Sequence, residues 1–465
     1  MEKIRVGIPY YDEAKLETVT SEPGNVNVAN LISEPLLRLY DGKVWSALAH
    51  SWQVFEHGRR WLFYLSPNTL FSDSTPCTMI DVMDAIDHVR NVPDEFGRPS
   101  RFNEYLKNYE FSILNRYALQ AVCRKPSGDL AEILSAIPIL KKNRLDKRIV
   151  GTGTYKYASY WANRSVRLTK LPGLKHLSAY GQITFLIIPD ARERLEALRK
   201  GDIHIASELE SIAEQEKDDS IEWWTCKTNQ SVMGMLNAFQ APFNQPIARR
   251  AVNLAVDVDR IIHDILGGYA FPAATIVSPY HCGYNNVLEP IPYDPYLARK
   301  LFSQVDIDHE LVITAADGFP PRAFDIADMI AEQLTDVGLK VRVEKYSDPA
   351  EYYNMTADGN PGDIMLMWTH RNSTFRTLYD SISSREKGPF WKGVEDDTLQ
   401  TLIDEANVEC DITERERSYS RVVTYLNKNP QWLYLYHPVT AYARTQGVED
   451  VETLHTGEFR FPGAW

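Results

Sequence analysis

The chain has 465 residues, enough for two or three domains, with 44% hydrophobic and 24% charged residues, the balance of a soluble globular protein. A net charge of −13 argues against nucleic acid and anionic membrane surfaces as partners. No run of 18 apolar residues exists to span a bilayer, and MEKIRVGIPYY has no basic-then-apolar leader. An exported protein would therefore have had its leader removed, with Met1 in its place.

In chain order, Lys3–Ile8 alternates Ile4, Val6 and Ile8 and predicts an opening strand. Asn30–Leu37 places Leu31, Ile32, Leu36 and Leu37 in a short helix before the turn Tyr40-Asp41-Gly42. Trp52–Val54 and Trp61–Leu65, joined by Glu56-His57-Gly58, predict a hairpin. Thr78-Met79-Ile80-Asp81 has the spacing at which hydroxyl and carboxylate satisfy free amides at a helix start. Met79, Val82, Met83 and Ile86 then give that helix one buried face. Lys141, Lys142, Arg144, Lys147 and Arg148 form a basic patch, read as a solvated face.

The stretch LAHSWQVFEHGRRWLFYLSPNTLFSDSTPCTMIDV resembles the family 5 solute-binding proteins, the dipeptide, oligopeptide and nickel class serving ABC importers. Ser66 and Ser74 depart from the family pattern, which has Arg and Gly there, without touching the periodic apolar positions. The resemblance continues through Val150-Gly151-Thr152-Gly153-Thr154-Tyr155, where Thr154 replaces the family's Pro. No helix pattern and no Lys-Ser/Thr pair follows these glycines, so they read as a turn entering a strand and not as a phosphate loop.

Farther on, Gln182–Ile188, Ala191–Leu198 and Gly201–Ala206 predict strand, helix and strand, with His204 at an edge position and given no role. Ile247, Ala251, Leu254, Ala255 and Val258 share a helix face, and Gly267 stops the next helix. Tyr293-Asp294-Pro295 leads into a helix over Ala298–Phe302. Glu310–Ala315, Phe324–Val337 and Leu339–Val343 predict a parallel βαβ unit, and Gly362–Trp368 a further buried strand. Thr413 and Glu416 suggest a capping box, and Trp432–Pro438 a returning strand.

The resemblance covers essentially the whole chain and implies a type II periplasmic-binding-protein fold, α/β and two-lobed, with a third subdomain inserted. By it the first lobe comprises residues 1–37, 150–228 and 432–465, the insert 38–149 and the second lobe 229–431. It implies a monomeric extracytoplasmic protein that captures a small polar solute in an interlobe cleft and delivers it to a membrane ABC permease. The alternative is a cytoplasmic solute-sensing domain of a transcription regulator. Five Cys, an odd count without CxxC spacing, sit slightly better with a reducing compartment.

Peptide-binding members carry an Asp in the loop after the strand matching Gly362–Trp368, to hold the peptide's ammonium. Here Thr369–Arg376 contains no carboxylate, and His370, Arg371 and Asn372 suit a carboxylate, phosphate or sugar hydroxyl. The solute is thus expected to be peptide-like, or an anionic or sugar-containing compound. Trp368, Trp391, Tyr280 and Trp161 are candidate aromatic walls for it. The 11 His show no HxH or HxxxH pair, so neither metal site nor cofactor is expected. No Gly-x-Ser-x-Gly elbow, HExxH or Walker loop is present, so the chain is not expected to be an enzyme. Asp396-Asp397 and Asp218-Asp219 are adjacent pairs, read as helix-start or solvated carboxylates.

Overall fold

A computed structural model describes residues 3–20, 22–94, 96–142, 148–173, 179–217, 219–369, 373–448 and 450–462. The chain divides into two compact units, residues 1–228 with 440–465, and residues 229–439.

In the first unit, β1 (Lys3–Ile8) is a buried strand because Ile4, Val6 and Ile8 all lose their solvent. The helix after it, α1 (Pro23–Ile32), corrects the expectation of a helix over 30–37. Pro23 fits the first helical turn, where no amide is needed, and Pro35 forbids continuation past Ser33. Leu37 opens a strand instead, over Leu37–Tyr40.

Residues 49–123 hold a separate antiparallel sheet whose strands run in the order Ala49–Phe55, Arg60–Leu65, Ala118–Cys123, Tyr109–Asn115. Its first two strands are the predicted hairpin, closed by a tight turn at Glu56–Gly58. The helix Met79–Asn91 starts where expected. Thr78 donates its amide (2.8 Å) and hydroxyl (2.9 Å) to Asp81 Oδ2, and Met79, Val82 and Ile86 are buried.

The rest of the unit returns to β1. The strand β2 (Gln182–Ile187) pairs with it in parallel on one side. The amphipathic helix α2 (Ala191–Arg199) then crosses over, and the short strand β3 (Ile205–Ala206) pairs in parallel with β1 on the other side. Strand order therefore reverses direction at β1, and the carboxyl ends of β1, β2 and β3 open at the same edge. In open α/β sheets such an edge is the usual place for a ligand.

In the second unit, β4 (Ser231–Leu236) lies antiparallel to a later strand, β7 (Ile364–Thr369). Strand β5 (Leu311–Ala316), helix α3 (Ala323–Asp336) and strand β6 (Val341–Tyr346) form the expected parallel βαβ unit. Ile313, Ile326, Ile330, Leu334, Ile364 and Leu366 meet in its core. The long strand β8 (Leu433–Arg444) starts within the second unit and ends within the first.

Two caps differ from expectation. The helix Ile412–Lys428 begins at Asp411, which accepts from the amides of Thr413 (2.9 Å) and Glu414 (3.0 Å). An ionised carboxylate at the helix start displaces the Thr413–Glu416 box. Likewise Asp257 caps a new helix at Val258, so Val258 leaves the face shared by Ile247 and Ala251. Asp396 caps the helix Asp397–Val408 as read, accepting from Leu399 at 3.0 Å.

Candidate functional site

Trp368 is the penultimate residue of β7 and is half-buried, part of its indole lying on the second unit's core. Phe319 meets it edge-on at 5.6 Å between ring centres. Phe319 in turn packs against Tyr353 (6.3 Å), and Tyr353 against Phe390 (5.0 Å). The rings form a continuous run, each pair edge-to-face as aromatic quadrupoles favour.

Trp391, next to Phe390, packs edge-on against Phe239 at 5.3 Å and donates its Nε1–H to Val394 O at 2.9 Å. Gly393, with φ +94, lets this turn approach to where a Cβ would lie 2.8 Å from the Phe239 amide nitrogen. The structure thus brings Trp368 and the Trp391 turn to two ends of one aromatic run. Tyr280, in the same unit, is half-buried in a turn. Trp161 belongs to the first unit, where it ends the strand Tyr155–Trp161 and is 64% exposed. His370, Arg371 and Asn372 lie outside the described residues, as does Asp218.

At the carboxyl edge of β1–β3 the first unit assembles groups that sequence reading did not single out. Asn25 accepts from the Asp12 amide and donates to the Asp12 carbonyl at 2.6 Å, pinning the loop after β1 onto α1. There the Tyr157 hydroxyl donates to Glu13 at 2.6 Å and lies 3.4 Å from the Tyr11 hydroxyl. Burial raises both phenols well above their ordinary range, so they stay neutral donors.

The loop after β3 is held by Arg194, which is 2% exposed. Its guanidinium donates to four carbonyl oxygens: Ser207 (3.0 Å), Ile188 (2.5 Å), Pro189 (2.8 Å) and Glu208 (2.8 Å). Glu208 is left with φ +53, a left-handed backbone that non-glycine residues seldom adopt. Its side chain is half-buried, and burial, with repulsion from Glu210 and Glu22 opposed by attraction to Arg194, pushes its carboxyl up to about 8. His204, two residues before β3 ends, does structural work: its Nδ1 accepts from the Arg5 amide at 2.9 Å.

One pair in the second unit has the look of a nucleophile and base. Ser231 Oγ lies 3.0 Å from His437 Nδ1. Both residues are 1% exposed, and Ser231 Oγ also donates to Ile276 O at 2.9 Å. Burial pulls His437 down to about 4, and its Nδ1 also lies 3.1 Å from Gln230 O. A sealed serine beside a histidine with no orienting carboxylate among the described residues is core packing, not a catalytic dyad.

Residues 43–389 match the family model for bacterial extracellular solute-binding proteins, family 5 Middle. The chain belongs to that family. It is 23% identical over 430 residues to the dipeptide-binding protein of Escherichia coli (strain K12), covering 84% of this chain and 80% of that one. HbpA2 from Haemophilus parasuis superposes with a TM-score of 0.84 at 18% identity, over 99% of each chain. NikZ from Campylobacter jejuni, in complex with Ni(L-His), superposes with a TM-score of 0.76 at 18% identity, over 98% of this chain and 97% of that one.

The fold is that of the two-lobed family 5 periplasmic binding proteins, and the chain is a solute-binding protein of the ABC-importer class, not an enzyme. Family 5 proteins bind small molecules outside the cytoplasm and hand them to membrane ABC permeases. No described helix is long and apolar enough to cross a membrane.

Proposed function

We propose that this chain captures a peptide or peptide-like solute, with Trp368 as the principal aromatic wall and the Trp391 turn as a second. The observation that carries the reading is the run Trp368–Phe319–Tyr353–Phe390, which braces a half-open indole at the end of a buried strand. A ring held by other rings loses little entropy when a ligand stacks on it. The dipeptide-binding relative supports the solute class. A second reading, an anionic or sugar-containing solute, is favoured by one fact: Thr369–Arg376 contains two arginines and no carboxylate.

Native mass spectrometry of the purified protein, followed by a thermal-shift panel of short peptides, sugar phosphates, opine-like conjugates and nickel chelates, tests both. A bound solute raises the melting temperature by mass action. Shifts confined to peptides support the first reading, and shifts confined to sugar phosphates or other anions support the second.

A further inference from the structure

We propose that Glu208 sets the charge preference of this protein, its carboxylate receiving a primary or secondary ammonium group of the bound solute. The inference rests on the peptide-like reading.

Four observations in the first unit converge on Glu208. It lies two residues after β3 in the chain, at the carboxyl edge where strand order reverses about β1, the place in such sheets where ligands are met. Its backbone is held left-handed, at a cost of about 1–3 kcal/mol that surrounding structure must impose. Arg194 imposes it: the buried guanidinium grips the Ser207 and Glu208 carbonyls from below. Finally, the Glu208 carboxylate accepts no hydrogen bond and forms no ion pair among the described residues, although its surroundings are desolvated.

A carboxyl with a merely structural role in such a place would be hydrogen-bonded, because a half-desolvated acid without a partner is costly. Its neighbour shows the contrast, since Glu210 Oε2 accepts from the Ala441 amide at 3.4 Å. The one cation acting on it, Arg194, attracts the carboxylate without donating to it, because its guanidinium N–H groups go to four carbonyls. Glu210 and Glu22, the other charged groups acting on it, repel. The missing complement is therefore a cation with N–H donors. An anionic solute group at this position would meet repulsion from any of the three acids that is ionised.

The step has a definite proton balance. At neutral pH the carboxyl is mostly protonated. Receiving an ammonium ion converts it to carboxylate, and the displaced proton passes to the buffer.

The experiment is calorimetric titration at pH 7, in two buffers of different ionisation enthalpy, with trialanine, N-acetyl-trialanine and putrescine as probes. Wild type and Glu208→Gln are compared, after melting curves establish that both are folded. The expected result is binding of trialanine with release of close to one proton, and at least tenfold weaker binding of the acetylated peptide. In Glu208→Gln the proton release vanishes and the two peptides bind alike.

If the variant keeps the wild-type preference for the free amine, or if wild type binds both peptides equally, Glu208 is overturned and the peptide reading stands. Binding of putrescine alone, dependent on Glu208, upholds the residue and overturns the peptide reading. No binding of any amine to the wild type overturns both. Should Glu208→Gln fail to fold, Glu208→Met is compared by the same proton count, with loss of the release and of the preference upholding the proposal and their retention overturning it.

Discussion

Arg194 Nη2 donates to the carbonyl oxygen of Glu208 at 2.8 Å, so a fully buried cation positions the backbone of a residue whose own carboxyl accepts no hydrogen bond among the described residues. The cation is tied to peptide oxygens and the acid is held ready by its backbone. Removing either one should therefore have a different consequence.

Arg194→Ala would strand four carbonyl oxygens in the interior of the first unit. We expect a loss of about 3 kcal/mol or more, since each buried acceptor left unmet costs about 1–3 kcal/mol and water will reach some of them. Arg194→Lys should recover little, because an ammonium cannot span the same fork. Urea denaturation checks this, and a loss below about 1 kcal/mol would contradict the assigned role.

Glu208 also predicts how stability responds to pH without ligand. Its folded pKa of about 8 lies above the ordinary 4.5, so between those values the folded state holds the extra proton. The stabilising contribution is thus fully present below pH 4.5 and is lost as pH rises through 8. Glu210 and Glu22, also raised by burial, act in the same direction. The melting temperature should fall from pH 5 to pH 8.5, and Glu208→Gln should flatten that fall. An equal slope in the variant would show that the titration lies elsewhere.

For Trp368→Ala the expected outcome is loss of the ligand-induced thermal shift with the fold retained. The indole is only half-buried, so the cost should be about 2 kcal/mol, below the 3–5 kcal/mol of a fully buried ring. Circular dichroism and the thermal-shift panel together decide it. A shift as large as in wild type would remove Trp368 from the binding surface.

Gly151 and Gly153 are required for packing and not for phosphate binding. A Cβ on Gly151 would lie 2.0 Å from Ile32 O, and one on Gly153 would lie 2.5 Å from Leu31 O. Because backbone atoms cannot swing aside, Gly151→Ala should destabilise by about 2 kcal/mol or more through forced backbone shifts. Thermal denaturation tests this, and an unchanged midpoint would mean that α1 is free to move away.

Elements whose causes lie within a few residues were legible in the chain itself. The alternation of Ile4, Val6 and Ile8 makes β1, and the Asp81 carboxylate three residues from Thr78 starts a helix. The misplaced boundaries arose where two local signals competed. Pro35 and Pro23 together move α1 upstream, and Asp411 outbids Thr413 as a cap. The Glu208 position carried no signal of its own, because what singles it out comes from Arg194, Glu210 and Glu22.

The amino-acid order by itself determined the α/β class, the run of strands and helices, and the family resemblance, because periodicity and capping act over one or two turns of chain. Only the tertiary structure decided that Phe319, Tyr353 and Phe390 brace Trp368, and that an arginine fourteen positions before Glu208 holds its backbone by the carbonyl while, among the described residues, no group donates to its carboxyl. Those properties depend on which groups meet across space and how much water they lose on meeting, and neither is written in the spacing of neighbours along the chain.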